Sequence, residues 1–423
     1  MDAPLGRLLK GLRWLGVRCA DDRALVIAFS LLSLSLQACV PHKQFFSDPA
    51  DYLTQLAPNT PSSIGVERAV IEFDEFGSFW DIGQLEDTLA LIERRNREHP
   101  EGVAVYVFMH GWMNNADGSR EDGDLRRFEE AMLARIDQID ANIESPPGHV
   151  IGVFLGWRGA TNRVPLYWQL SFWDRRRAAE RIASHDLRET LIRLAGTTNM
   201  RRSSAIIVAG HSLGASAVTQ VLSPGLSALI LAAGDSGVPL PFDLVFHFNP
   251  AISAVVSKQF IDMLKRFNVR LEIVHADGRV TEAPGPFVAS ITSTSDWVTS
   301  TAFAIGERLG KSRLAFREDT APGEPSQWEL ATTAEGHADF LASHRAWVED
   351  GSVRLERIPG AYNDTPAWII QVSPEISRDH GDIRNPRFSE LLDILAQMNR
   401  TYDSDRVLQI RVVPPSTDSA GGG

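Results

Sequence analysis

Short, mainly apolar runs recur along the chain at 70–73, 103–109, 150–155, 205–209, 243–249, 287–293 and 368–372. Between them, apolar residues return every three or four positions. The clearest such stretch is 81–99, with Ile82, Leu85, Leu89 and Ile92 on one helical face and Pro100 and Gly102 beyond its end. Comparable stretches predict helices over 122–139, 175–194, 253–267 and 386–399, and one beginning near Val298. Strands that are apolar throughout are covered on both faces. Their alternation with helices therefore predicts an α/β fold, with a mostly parallel central sheet and helices on both faces. A weaker run at 269–274 predicts a minor strand. The segment 311–360 is polar, shows no strand periodicity, and reads as a long insertion.

The two ends read differently from the middle. Residues 1–23 carry Arg7, Lys10, Arg13, Arg18 and Arg23, and an apolar run at 24–36 follows. A basic start, an apolar core too short for a bilayer span and a small residue before a break form an export-signal pattern. Leu36-Gln37-Ala38-Cys39 resembles the lipobox of bacterial lipoproteins, which implies cleavage before Cys39 and acylation of its thiol. The alternative is an uncleaved anchor helix; both place the protein at a membrane. The expected organisation is a signal peptide over 1–39, a Pro- and Ser-rich tether over 40–65, and an α/β domain over 66–400 with insertions near 158–176 and 311–360. A C-terminal tail over 401–423 follows, disordered from 414.

Candidate chemistry begins at 205–216, where an apolar run leads into Gly210-His211-Ser212-Leu213-Gly214 and then small residues. G-x-S-x-G between a strand and a helix is a nucleophile elbow. The strand and helix cross so closely that the positions two before and two after the serine hold no large side chain, and Gly210 and Gly214 meet that need. Upstream, the 103–109 run ends in His110-Gly111-Trp112. This resembles the oxyanion-hole loop of lipases and esterases, with the N–H of Trp112 as first donor and that of Leu213 as second. Downstream, Asp296 follows the 287–293 run and His380 follows the 368–372 run. Parallel sheets carry their functional residues on loops at strand C-terminal ends, where all of these fall.

The order Ser, Asp, His is that of the α/β-hydrolase superfamily. Residues 66–400 resemble its lipase/esterase branch, most specifically at the elbow. The resemblance implies Ser212 as nucleophile, His380 as general base and acid, and Asp296 as the group that orients His380. The residues argue the same way, because a serine hydroxyl needs a neighbouring base and a carboxylate fixes that base's tautomer. His337 and His344 are rivals for the base, and Asp277 and Asp243 for the acid. His211 reads as packing beside the nucleophile, His247 as a core histidine, and Asp379 and Asp382 as solvation of the His380 loop.

Composition narrows the partners. At 43% hydrophobic and 23% charged residues, the chain is globular. A net charge of −12 argues against nucleic acid. Neither HExxH nor a paired CxxC is present, so the expectation is a reaction needing no metal or organic cofactor. Aromatic Tyr167, Trp168, Phe172 and Trp173 suit a cap over an acyl pocket, a patch that touches lipid, or the ordinary core packing of an insertion. The expected function is a membrane-attached carboxylic-ester hydrolase acting on a small-molecule or lipid ester. The alternatives are a non-catalytic envelope binding or scaffold protein of the same fold, or a thioesterase or acyltransferase with the same triad.

Overall fold

The computed structural model describes residues 43–58, 62–120, 123–142, 146–161, 171–233, 236–311, 323–399 and 406–413. The expected signal segment with Cys39, the aromatic residues Tyr167 and Trp168, and the end of the chain at 414–423 lie outside the described residues.

The strands are β1 (Leu53–Leu56), β2 (Gly65–Glu72), β3 (Val103–Met109), β4 (His149–Gly156), β5 (Ala205–His211), β6 (Val238–Pro239) and β7 (Leu244–Phe248). They continue as β8 (Val269–His275), β9 (Val280–Glu282), β10 (Val288–Ser293), β11 (His344–Glu349), β12 (Ser352–Arg357), β13 (Ala367–Val372) and β14 (Arg406–Val412). A 10-stranded sheet runs in the order β1-β2-β4-β3-β5-β7-β10-β13-β11-β12. From β2 to β11 every neighbour is parallel; β1 and β12 close the two edges antiparallel. The expected α/β class with its mostly parallel sheet is therefore the observed one.

The apolar runs explain the layering. Side chains alternate across a strand, so one continuous run feeds two cores. Val105, Val107 and Met109 of β3, with Ile206 and Val208 of β5, enter one core beneath the helices Ile82–Glu98, Phe172–Ala183, Asp186–Thr198 and Leu213–Ala233. Ala104, Phe108, Ile207 and Ala209 enter the other, beneath Asp124–Asn142 and Pro386–Met398. Each large side chain buried this way contributes about 1.5–3 kcal/mol.

Four expectations need correction. The 311–360 stretch contains two strands, β11 and β12, which extend the sheet. As an edge hairpin they expose Arg345, Glu349, Arg354 and Glu356, so charge masks their period, a usual protection of sheet edges. The expected tail holds β14, which pairs antiparallel with β8 and β6 in a second sheet of order β6-β14-β8-β9. Leu408 and Ile410 are its buried side, and Arg406 is salt-bridged to Asp243 at 2.8 Å. The expected tether contains β1, paired to β2. The single helix expected over 175–194 is two helices, because His185 leaves helical backbone with φ −124 and ψ −125.

Candidate active site

Ser212 sits between β5 and the helix Leu213–Ala233 with φ +54, a left-handed conformation that costs a non-glycine residue about 1–3 kcal/mol. Hydrogen bonds pin it there: its N–H donates to Phe248 O at 3.0 Å, and its carbonyl accepts from Ala251 N at 3.1 Å. The two glycines are required by contact. A Cβ on Gly210 would lie 2.5 Å from Ala215 Cα, and one on Gly214 would lie 2.3 Å from Met109 O and 2.5 Å from His110 O.

The His110–Trp112 loop lies directly against this turn. A Cβ on Gly111 would meet Ser212 Cβ at 2.8 Å and His211 O at 2.9 Å. His110 is fully buried and locks the loop. Its Nε2 accepts from Trp157 N at 3.1 Å, so its proton sits on Nδ1 and points to Gly111 O at 2.9 Å. Trp157 Nε1 donates back to His110 O at 2.8 Å. Burial pushes His110 down to about 4, so it is a neutral structural imidazole at ordinary pH. Trp112 is braced by Ser171 Oγ at 3.1 Å and by the edge of Phe172. Phe172 also stacks edge-on against Trp173, and Trp173 lies over Gly306. These two members of the aromatic cluster are packed into the domain. Leu213 N–H is the first amide of its helix and has no intrahelical acceptor.

His380 and Asp296 meet. His380 Nδ1 lies 2.7 Å from Asp296 Oδ2. Asp296 is fully buried and also accepts from Val298 N at 2.9 Å and from the Thr299 hydroxyl. Burial would raise this carboxyl, but the bonds from His380, Thr299 and Val298 outweigh it and hold it below the usual carboxylate range.

The loop bearing His380 is fastened to the elbow. His211 Nε2 donates to His380 O at 2.8 Å, and the two rings lie 4.9 Å apart. Asn249, at the end of β7 with φ +41, donates to Asp379 O and His380 O at 3.2 and 3.1 Å and accepts from Ser293 N at 2.9 Å. Ser293 Oγ bonds Ser377 O at 2.6 Å and Ser295 Oγ bonds Arg378 O at 2.8 Å. Behind His211, the fully buried Asp124 brings Oδ2 within 3.5 Å of Nδ1. Burial pushes Asp124 up, but His211, His110 and Arg127 together hold it low. Sequence reasoning missed Asn249, Asp124, Ser293 and Ser295. A buried Asn at positive φ after a strand leaves only a faint trace, and the partners of the others are distant in the chain.

Of the rival residues only His337 lies near the Asp296–His380 pair. Asp277 is exposed in the β8–β9 turn and bonded to Arg279 at 2.6 Å. Asp243 caps the start of β5 by accepting from Ile206 N at 2.7 Å. His344 stacks on Trp368 at the start of β11, 3.7 Å between ring centres. His247 is buried between Thr219 and Ser290, and burial pushes it down to about 4. Asp379 and Asp382 accept bonds from Gly381 N and Arg378 N within the His380 loop. His337 is bonded to Thr299, one step from Asp296.

No protein-family model matches this chain, and neither the curated proteins nor the solved structures provide a match to it.

Proposed function

We propose that the chain is a serine hydrolase of the α/β-hydrolase type that cleaves a carboxylic ester, held at a membrane by its N-terminal segment. The observation that carries this reading is the 2.7 Å bond from His380 to the buried Asp296, on a loop tied to His211, the residue preceding Ser212. With Asp296 holding the proton on Nδ1, Nε2 of His380 is the basic nitrogen.

In the proposed reaction His380 Nε2 takes the Ser212 proton as Oγ attacks the ester carbonyl. The tetrahedral oxyanion is held by the N–H groups of Trp112 and Leu213. The intermediate collapses, the C–O bond to the alcohol breaks, and His380 returns the proton to the leaving alkoxide. Water then attacks the acyl-enzyme with His380 as base, giving the acid and free Ser212. Nothing in this sequence asks for a metal or an organic cofactor. Met113 and Trp297, next to Trp112 and Asp296 in the chain, are 43% and 56% exposed, which supports an ester with an apolar acyl group.

The test is intact mass after treatment with a serine-directed fluorophosphonate, on the wild type and on Ser212→Ala. One adduct on the first and none on the second is the expected result. An unmodified, folded wild type would refute the hydrolase reading and favour a binding protein.

A further inference from the structure

A second imidazole approaches the Asp296–His380 pair from the turn after the helix Gln327–Thr332. Gly336 lets it in: a Cβ there would lie 1.9 Å from Thr292 Oγ1 on β10, so only a hydrogen fits. Gln371 of β13 holds the turn in place, its Nε2 donating to Gly336 O at 3.1 Å and to Asp339 Oδ1 at 2.8 Å. His337 Nε2 then lies 2.9 Å from Thr299 Oγ1. That hydroxyl is bonded to Asp296 Oδ2, the same oxygen that meets His380.

Counting hydrogens fixes the direction of each bond. A threonine hydroxyl has one proton, and an ionised carboxylate only accepts. Thr299 therefore donates to Asp296, and His337 Nε2 must donate to Thr299. The donors run in series from His337 through Thr299 to Asp296, which receives His380 from the other side. Burial holds His337 below the usual imidazole range; Asp296 and Asp339 oppose that, and His380 adds to it. At neutral pH His337 is accordingly the uncharged Nε2–H form. Glu335, on the same turn, is directed away toward Ser257.

We propose that His337 is a positioning residue for the reaction at Ser212, fixing through Thr299 the orientation and the charge of the carboxylate that faces His380. This rests on the hydrolase reading above. Coupled donors strengthen one another, so the chain draws negative charge off Oδ2 as well as holding it in place. Cutting the chain leaves more of that charge facing His380, which favours its imidazolium and delays the neutral base to higher pH.

The test is the rate of fluorophosphonate labelling of Ser212 in the full chain, measured across about pH 5 to 9. His337→Leu removes the donor; His337→Gln keeps an N–H near the position of Nε2. The expected result for His337→Leu is a rate lower by about five- to tenfold, the equivalent of one hydrogen bond, with the acid limb moved to higher pH. His337→Gln should stay within about twofold of the wild type. Should His337→Leu not fold, Thr299→Val cuts the same chain and should show the same shift. A folded His337→Leu or Thr299→Val with the wild-type rate and limb would overturn the proposal. So would a His337→Gln that loses as much as His337→Leu. A wild type that takes no label at all instead removes the hydrolase reading itself, so the two failures are distinct.

Discussion

Gly214 and Gly225 lie in the same helix, and the same substitution should have opposite effects at the two sites. At Gly214 an added methyl would sit 2.3 Å from Met109 O and 2.5 Å from His110 O. Both are backbone atoms: Met109 ends β3 and is held by pairing with β4 and β5, and His110 O is held by the bond from Trp157 Nε1, so no side chain can swing away. Overpacking of this kind costs about 1–3 kcal/mol, and a rigid backbone neighbour puts it at the upper end. Helix propensity returns about 1 kcal/mol on replacing Gly by Ala. Gly214→Ala should therefore lose about 2 kcal/mol net. At Gly225 nothing lies within 4 Å of the added methyl, so Gly225→Ala should gain about 0.5–1 kcal/mol. Urea unfolding of both variants measures the gap, expected to be close to 3 kcal/mol in sum. Labelling at Ser212 gives a second readout, because the displaced atoms belong to the His110–Trp112 loop; Gly214→Ala should slow it and Gly225→Ala should not. A Gly214→Ala variant as stable as Gly225→Ala, labelling at the wild-type rate, would show that the strand and helix do not cross this tightly.

Three further expectations are simpler to check. Asp296→Ala should lower turnover of an ester by about ten-thousand-fold, while Asp277→Ala, altering an exposed turn, stays within about one decade in the same steady-state assay. Glu67 accepts from Arg95 at 2.8 Å and lies 2.8 Å from His149 Nε2. Burial opposes its ionisation, but these partners win and bring it down to about 2. A carboxyl depressed on folding contributes stability above its unfolded value, lost as pH falls through the folded one. Glu67→Gln should thus melt well below the wild type at pH 6, the difference narrowing toward pH 2. Cys39→Ala should move the protein from the membrane to the soluble fraction if acylation there holds it, whereas continued sedimentation with membranes would point to an uncleaved helix.

The sheet was legible because its central strands are buried on both faces. Runs such as 103–109 have nothing polar to blur them, and their ends fall where Ser212, Asp296 and His380 sit. Edge strands carry the opposite signature. In β11 and β12 charged residues face solvent, and β14 stands behind a polar stretch that reads as a tail. The contacts that fasten the site were illegible for a different reason. Asn249 to His380, Asp124 to His211 and His337 to Thr299 each join residues far apart in the chain, at loops whose spacing carries no period. The chain order of three residues survives in a sequence; the hydrogen bonds that aim them do not.

The pairing of β14 bears on when the protein becomes itself. Asp243 accepts from Ile206 N at the start of the strand that runs into Ser212, and its cation partner is Arg406, in β14, the last of the described strands. Until the ribosome has delivered that arginine, the carboxylate at the root of the elbow strand lacks its counter-ion, and removing one partner of such a pair costs about 3–5 kcal/mol. The small sheet also lacks the strand that lies between β6 and β8. Nascent chains and clipped fragments that lack β14 should then fail to mature the serine turn, leaving quality control a sharp distinction between chains that have this strand and chains that do not.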